Sequence, residues 1–188
     1  MSRLPNLLTL FRIALIPLLV WLLTSPGKGA ALLAALVFFI ACWSDFFDGY
    51  LARRQGLITT LGKFLDPLAD KLIVMAALVM VASLEREPSL PGWIVVVVVG
   101  RELAVTGLRA IAADHGIVLG AEELGKYKMI FQMFAIQGLL LHYRFLGIDF
   151  HAAGMYFLWI SLVISLWSAI HYHVEVTRAV MSATGRTN

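Results

Sequence analysis

The chain reads as an all-α integral membrane protein with six transmembrane helices and a short N-terminal amphipathic helix at the interface. Three observations predict this. The 188 residues are 60% hydrophobic and only 14% charged, with a mean hydropathy of +0.84, so there are too few charges to surround a soluble core of that size. Six apolar runs can be marked, at 7–24, 30–53, 64–84, 92–113, 127–146 and 152–176. At about 1.5 Å per residue each can cross a hydrocarbon layer of about 30 Å. The breaks between them carry turn and loop residues, as in Ser25-Pro-Gly-Lys-Gly, the run at 85–92, Asp114-His-Gly and the stretch at 144–149. With no repeat and no low-complexity linker, residues 1–188 are expected to form one domain.

Ahead of the first run, Leu4, Leu7, Leu8 and Phe11 alternate with Arg3, Asn6, Thr9 and Arg12. This spacing predicts the interfacial helix, with Asn6, Thr9 and Arg12 on one polar stripe; an Asn cap with a snorkelling Arg is the plainer alternative. The apolar run could imitate a signal peptide. No Ala-x-Ala-like cleavage site follows, and an uncleaved first span is expected. Cytoplasmic loops carry an excess of Lys and Arg. Placing the N-terminus inside puts 12 of the 15 basic residues on the cytoplasmic side, against Lys28, Arg86 and Arg144 on the other. Both termini and the stretch at 45–70 are therefore expected to be cytoplasmic, and Trp93 suits an outer interfacial anchor.

The formal charge of +3 comes from basic residues scattered between apolar runs, which argues against nucleic acid and for lipid headgroups and phosphorylated substrates. The single cysteine, Cys42, excludes an intrachain disulfide and reads as a small buried hydrophobe.

Chemistry concentrates between Asp45 and Asp70. On helical spacing Asp45 and Asp48 share one face, as do Asp66 and Asp70. Four carboxylates in a membrane chain repel one another and are costly to insert. Carboxylate oxygens are the ligands of hard divalent cations, and two such ions would cancel the four charges and clamp phosphate oxygens. Gly49 allows close approach to the backbone, and Arg53 offers a fork of donors for a diphosphate or a plain positive-inside charge. In the fourth run Arg101 falls about 15 Å from the outer end, near the midplane, where ionisable residues mark functional paths; pairing with Glu102 is the structural alternative. Arg101, Arg109, Lys126 and Lys128 together suggest a site for a second, soluble anion. The five histidines show no shared ligand spacing with acidic partners.

These residues resemble a known family. The pattern D-x-x-D-G-x-x-A-R, eight residues, then G-x-x-x-D-x-x-x-D is the signature of the CDP-alcohol phosphatidyltransferases. Its fixed positions are met by Asp45, Asp48, Gly49, Ala52, Arg53, Gly62, Asp66 and Asp70. Within that family the segments 4–12, 65–71, 101–109 and 125–128, followed by Gln132, look most like the members that make phosphatidylglycerophosphate, with Thr106 and Met129 departing from the residues common at their positions.

The resemblance implies transfer of a phosphatidyl group from CDP-diacylglycerol to the 1-hydroxyl of glycerol 3-phosphate, with release of CMP, in the plasma membrane of a bacterium. It implies two divalent cations, Mg2+ or Mn2+, on Asp45, Asp48, Asp66 and Asp70, with Asp70 also the general base. Gly49, Ala52, Arg53 and Gly62 would line the cytidine diphosphate pocket, and Asn6, Thr9 and Arg12 would contact the lipid donor or the acceptor. Arg101, Arg109, Lys126 and Lys128 would take the acceptor phosphate, and a homodimer is expected. Inositol phosphate, serine or phosphatidylglycerol remain alternative acceptors. A membrane prenyltransferase and a divalent-cation transporter remain the rival classes.

Overall fold

Among the described residues, six α-helices form at the six apolar runs. In the computed structural model the backbone is described for residues 4–25, 27–55, 60–114 and 123–184, and side-chain surroundings for 10–25, 27–44, 68–114, 124–179 and 181. The helices are α1 (Leu4–Thr24), α2 (Lys28–Gln55), α3 (Thr60–Ser83), α4 (Gly92–Asp114), α5 (Glu123–Leu141) and α6 (Phe150–Thr184), with strands β1 (Arg144–Phe145) and β2 (Ile148–Asp149) between the last two.

The expected interfacial helix is not separate from the first span. The chain is helical without a break from Leu4 to Thr24, because the stretch from Leu4 to Arg12 holds four leucines and no glycine, and its one proline, Pro5, is harmless in a first turn. Pro17 is accommodated inside the same helix.

The chain divides into two compact units. The first comprises Met1–Leu90 and Ile136–Met155, the second Pro91–Ala135 and Tyr156–Asn188. In the first unit α1 packs against both α2 and α3. Its buried stripe is Arg12, Leu15, Leu19, Leu22 and Leu23, whereas α2 buries chiefly alanines at 31, 34, 35 and 41, and α3 buries Ala69, Ile73, Ala77 and Val81. Small residues on one helix let a leucine-lined neighbour approach closely, which is how helices pack where apolar burial alone supplies little drive. Gln137 Nε2 donates to the Ala35 carbonyl at 3.1 Å, tying the end of α5 to α2.

The fifth apolar run ends in a hairpin instead of continuing to 146. His142 has φ +58°, Leu146 +50° and Gly147 +80°, and β1 pairs antiparallel with β2 in the register Arg144 with Asp149 and Phe145 with Ile148. Positive φ at both loop residues suits the tight two-residue turn whose twist matches that of paired strands. Asp149 then caps α6, its Oδ1 accepting the Ala152 N–H at 3.0 Å, while Arg144 Nε donates to Oδ2 at 3.3 Å.

The cap bond is the largest cause holding the Asp149 carboxyl below the usual aspartate range; desolvation opposes it, and the Arg144 side chain adds to the lowering. A carboxylate with a depressed folded value stabilises the fold fully above the unfolded value of about 3.9 and loses that contribution as pH falls through the folded value. Asp149→Ala is therefore expected to lower Tm near neutral pH, with the difference from the unsubstituted protein shrinking below about pH 4 in an acid melting series.

At the junction of α5 and α6, a Cβ on Gly138 would stand 2.7 Å from the Phe150 carbonyl oxygen and 2.8 Å from the Gly154 Cα. Backbone atoms cannot swing aside. Gly138→Ala is expected to destabilise by about 1–3 kcal/mol through overpacking, read as a lowered denaturation midpoint in detergent.

In the second unit, α6 turns a stripe of Leu158, Ser161, Leu162, Ser165, Ser168, Tyr172 and Val176 inward, and Tyr172 and Val176 pack with Ala112, Val105 and Leu108 of α4. Trp93 of α4 stacks at a tilt on Trp159, with ring centroids 5.7 Å apart. The outer face of α6 carries exposed Trp159, Val163, Trp167 and Ile170. Among the described residues, Phe150–Ala179 is long and apolar enough to cross a membrane, and Leu10–Thr24 and Lys28–Ser44 are shorter apolar helical segments.

Candidate functional site

Each of the two units carries one group of chemically active side chains. In the first, the carboxylate frame lies on consecutive helices: Asp45, Asp48, Gly49, Ala52 and Arg53 on α2, and Gly62, Asp66 and Asp70 on α3. Helical backbone at these positions places Asp45 with Asp48, and Asp66 with Asp70, on shared faces. The side chains of Asn6, Thr9, Asp45, Asp48, Gly49, Ala52, Arg53, Gly62 and Asp66 lie outside the described residues.

Asp70 is described, and its Oδ1 accepts a charge-assisted hydrogen bond from Arg12 Nη1. The two residues are 58 apart in sequence. Arg12 is 1% exposed and sits on the buried stripe of α1, so the α1–α3 packing that buries Leu15 and Leu19 also delivers a cation to the last carboxylate of the frame. A buried guanidinium needs such a partner, since an unpaired one would carry the full desolvation cost.

The donor set fits hard divalent cations. All four residues are carboxylates, and no soft or imidazole ligand stands among the motif positions. Among the described residues no group of three or more His, Cys, Asp or Glu forms a metal cluster.

In the second unit, three charged side chains from two helices meet. Glu102 Oε1 accepts from its α4 neighbour Arg101 Nη1 at 2.9 Å and from Lys128 Nζ of α5. The side chains of Arg101, Glu102 and Lys128 are 9, 14 and 10% exposed. Helix α6 fastens the group. Arg101 Nε donates to the Ser165 carbonyl at 3.0 Å and Nη2 to Ser168 Oγ at 3.4 Å, while Ser161 Oγ donates to the Lys128 carbonyl at 3.1 Å. Among the described residues two cations meet one carboxylate here, in a nearly dry setting where two close cations favour an anion.

The four cations expected to act together are thus not equivalent. Arg101 and Lys128 meet on one carboxylate. Arg109, two turns further along α4, is exposed with its guanidinium carbon 5.7 Å from the centre of the Tyr172 ring. Lys126 is exposed, on a different face of α5 from Lys128.

The serines at 161, 165 and 168 were not singled out by sequence, although their spacing of four and three places them on one helix face. Gln132, one turn beyond Lys128, is buried, and its Nε2 finds no hydrogen-bond partner among the described residues.

Residues 2–167 match the family described as CDP-alcohol phosphatidyltransferase. A relative from Bacillus subtilis named CDP-diacylglycerol–glycerol-3-phosphate 3-phosphatidyltransferase is 40% identical over 185 residues, covering 92% of this chain and 94% of the relative. Proteins of the same name from Rickettsia typhi and Haemophilus influenzae are 35% and 36% identical, covering 92% and 90% of this chain and 96% and 91% of their own length.

Proposed function

Because the chain belongs to the CDP-alcohol phosphatidyltransferase family, we propose that it transfers the phosphatidyl group of CDP-diacylglycerol to glycerol 3-phosphate, giving phosphatidylglycerophosphate and CMP. The observation that carries this reading is the complete eight-position motif on α2 and α3, whose last carboxylate is held by a buried arginine of α1. The acceptor is argued from the relatives' shared name and from the positively charged cluster at Arg101 and Lys128.

In this reading the acceptor's 1-hydroxyl oxygen attacks the phosphorus that carries the diacylglycerol. The bond from that phosphorus to the CMP oxygen breaks, and CMP leaves. Asp70 receives the hydroxyl proton, with Arg12 fixing the carboxylate for that task. Asp45, Asp48, Asp66 and Asp70 would hold two divalent cations, Mg2+ or Mn2+, whose chemistry there is to neutralise the diphosphate and the charge that develops on CMP. Gly49, Ala52, Arg53 and Gly62 would bind the cytidine diphosphate, and Asn6 and Thr9 would contact the lipid donor or the acceptor.

All six helices cross the membrane in this reading. The exposed apolar face of α6 meets lipid, and the bias of basic residues sets both termini and the aspartate frame on the cytoplasmic side. A lipid donor with two acyl chains needs a site open to the bilayer, which accounts for a small-headgroup reaction being carried by a membrane protein.

Membranes containing the protein, given CDP-diacylglycerol, labelled glycerol 3-phosphate and Mg2+ or Mn2+, are expected to form labelled lipid and CMP in equal amounts. Absence of CMP would falsify the assignment and return the prenyltransferase reading. Arg109→Ala is expected to raise the KM for glycerol 3-phosphate by about tenfold, the loss of one charge-assisted contact, and to leave the KM for CDP-diacylglycerol nearly unchanged; equal effects on both would remove Arg109 from the acceptor site.

A further inference from the structure

An anion site is not helped by a carboxylate, yet Glu102 stands at the centre of the cationic cluster. Its Oε1 accepts from both Arg101 and Lys128. The two cations are held differently. Arg101 uses all three guanidinium nitrogens, one on Glu102 and two on α6 at Ser165 and Ser168. Lys128 is anchored at its carbonyl by Ser161, while its ammonium rides on a flexible four-carbon stem. Next along the same face of α5 stands Gln132, 5% exposed, with Nε2 lacking an acceptor among the described residues. Buried donors ordinarily have partners, so a ligand bearing acceptor oxygens completes this face.

We infer that Glu102 is a positioning residue that works by exchange: its carboxylate and the phosphate of the acceptor compete for Lys128 Nζ, while Arg101 stays on its α6 anchors and Gln132 donates to the incoming acceptor. This rests on the acceptor reading above. A phosphomonoester carries nearly twice the charge of a carboxylate at neutral pH and offers three acceptor oxygens, so it can take the ammonium from Glu102 in spite of proximity. The product retains that phosphate. A carboxylate ready to take Lys128 back therefore weakens acceptor and product binding alike and speeds release. No covalent bond or proton changes hands in the exchange.

The test is steady-state kinetics of the full-length protein in detergent micelles, with CDP-diacylglycerol saturating and glycerol 3-phosphate varied. Glu102→Gln is expected to lower the acceptor KM by about fivefold, as removal of an internal competitor requires, with kcat falling and phosphatidylglycerophosphate inhibiting more tightly. The KM for CDP-diacylglycerol stays unchanged. Glu102→Asp, which draws the carboxylate back by one methylene and keeps the charge, moves the acceptor KM in the same direction by less, and it serves if the glutamine variant does not fold. An acceptor KM that is unchanged or raised in the folded variants overturns the exchange. Lys128→Met separates this from failure of the site itself. A raised acceptor KM in Lys128→Met with no effect of Glu102→Gln sinks only the exchange, whereas no effect of Lys128→Met removes the acceptor from this cluster and the exchange with it.

Discussion

Asp70→Asn is expected to reduce kcat by at least about 100-fold, the lower end of what a positioned general base contributes, while CDP-diacylglycerol still binds. The reasoning starts from the Arg12–Asp70 pair. Asparagine keeps the shape of aspartate and can accept from Arg12, but it cannot take a proton from the acceptor's hydroxyl. It also takes one charged partner from a guanidinium that is 1% exposed, which costs up to about 3–5 kcal/mol. Activity and stability losses must therefore be told apart. Donor binding followed by retention of labelled CDP-diacylglycerol on the detergent-solubilised variant, alongside its melting temperature, does so. The double variant Arg12→Gln/Asp70→Asn removes both members of the pair and is expected to recover part of the stability without recovering turnover. Turnover that survives in a folded Asp70→Asn variant would end the general-base role.

The second large effect is expected at Arg101. Its guanidinium joins α4 to α6 through Ser165 and Ser168 and holds Glu102 beside Lys128. Arg101→Ala removes those hydrogen bonds together and leaves a nearly buried carboxylate with one cation fewer. The expected loss is about 3–5 kcal/mol, seen as a large drop in the denaturation midpoint and an acceptor KM raised along with it. Arg101→Lys is expected to recover little, because an ammonium cannot reproduce a planar fork that donates in three directions. A variant as stable as the unsubstituted protein would show that the α4–α6 hydrogen bonds contribute no net stability.

The helices were legible because apolar runs bounded by Gly, Pro and charged residues carry their own signal. The ends were less so. The fifth run continues past Leu141 in composition, and only the positive φ at His142 and Leu146 turns it into a hairpin; Leu146 is not a residue that advertises such a turn. In the same way, Asn6, Thr9 and Arg12 look like the polar stripe of a separate interfacial helix, yet α1 runs through them, and Arg12 belongs to the buried stripe of its own helix.

The candidate sites divide similarly. The aspartate frame is a local pattern, since residues three and four apart on a helix share a face whatever lies around them. Adjacent Arg101 and Glu102 could be paired by inspection. Lys128 could not be placed on that same carboxylate, because it arrives from another helix 26 residues away in sequence, and Lys126 looked equivalent to it.

From its sequence alone, then, this protein is a helical chain with a four-carboxylate motif that belongs with CDP-linked lipid chemistry, because helical period and residue type carry those facts within short stretches. Tertiary packing decided which cation meets which carboxylate. The Arg12–Asp70 and Lys128–Glu102 pairs form only when separate helices pack, since an ion pair depends on distance in space and on the dryness around it, and neither is written in the spacing of residues along one helix.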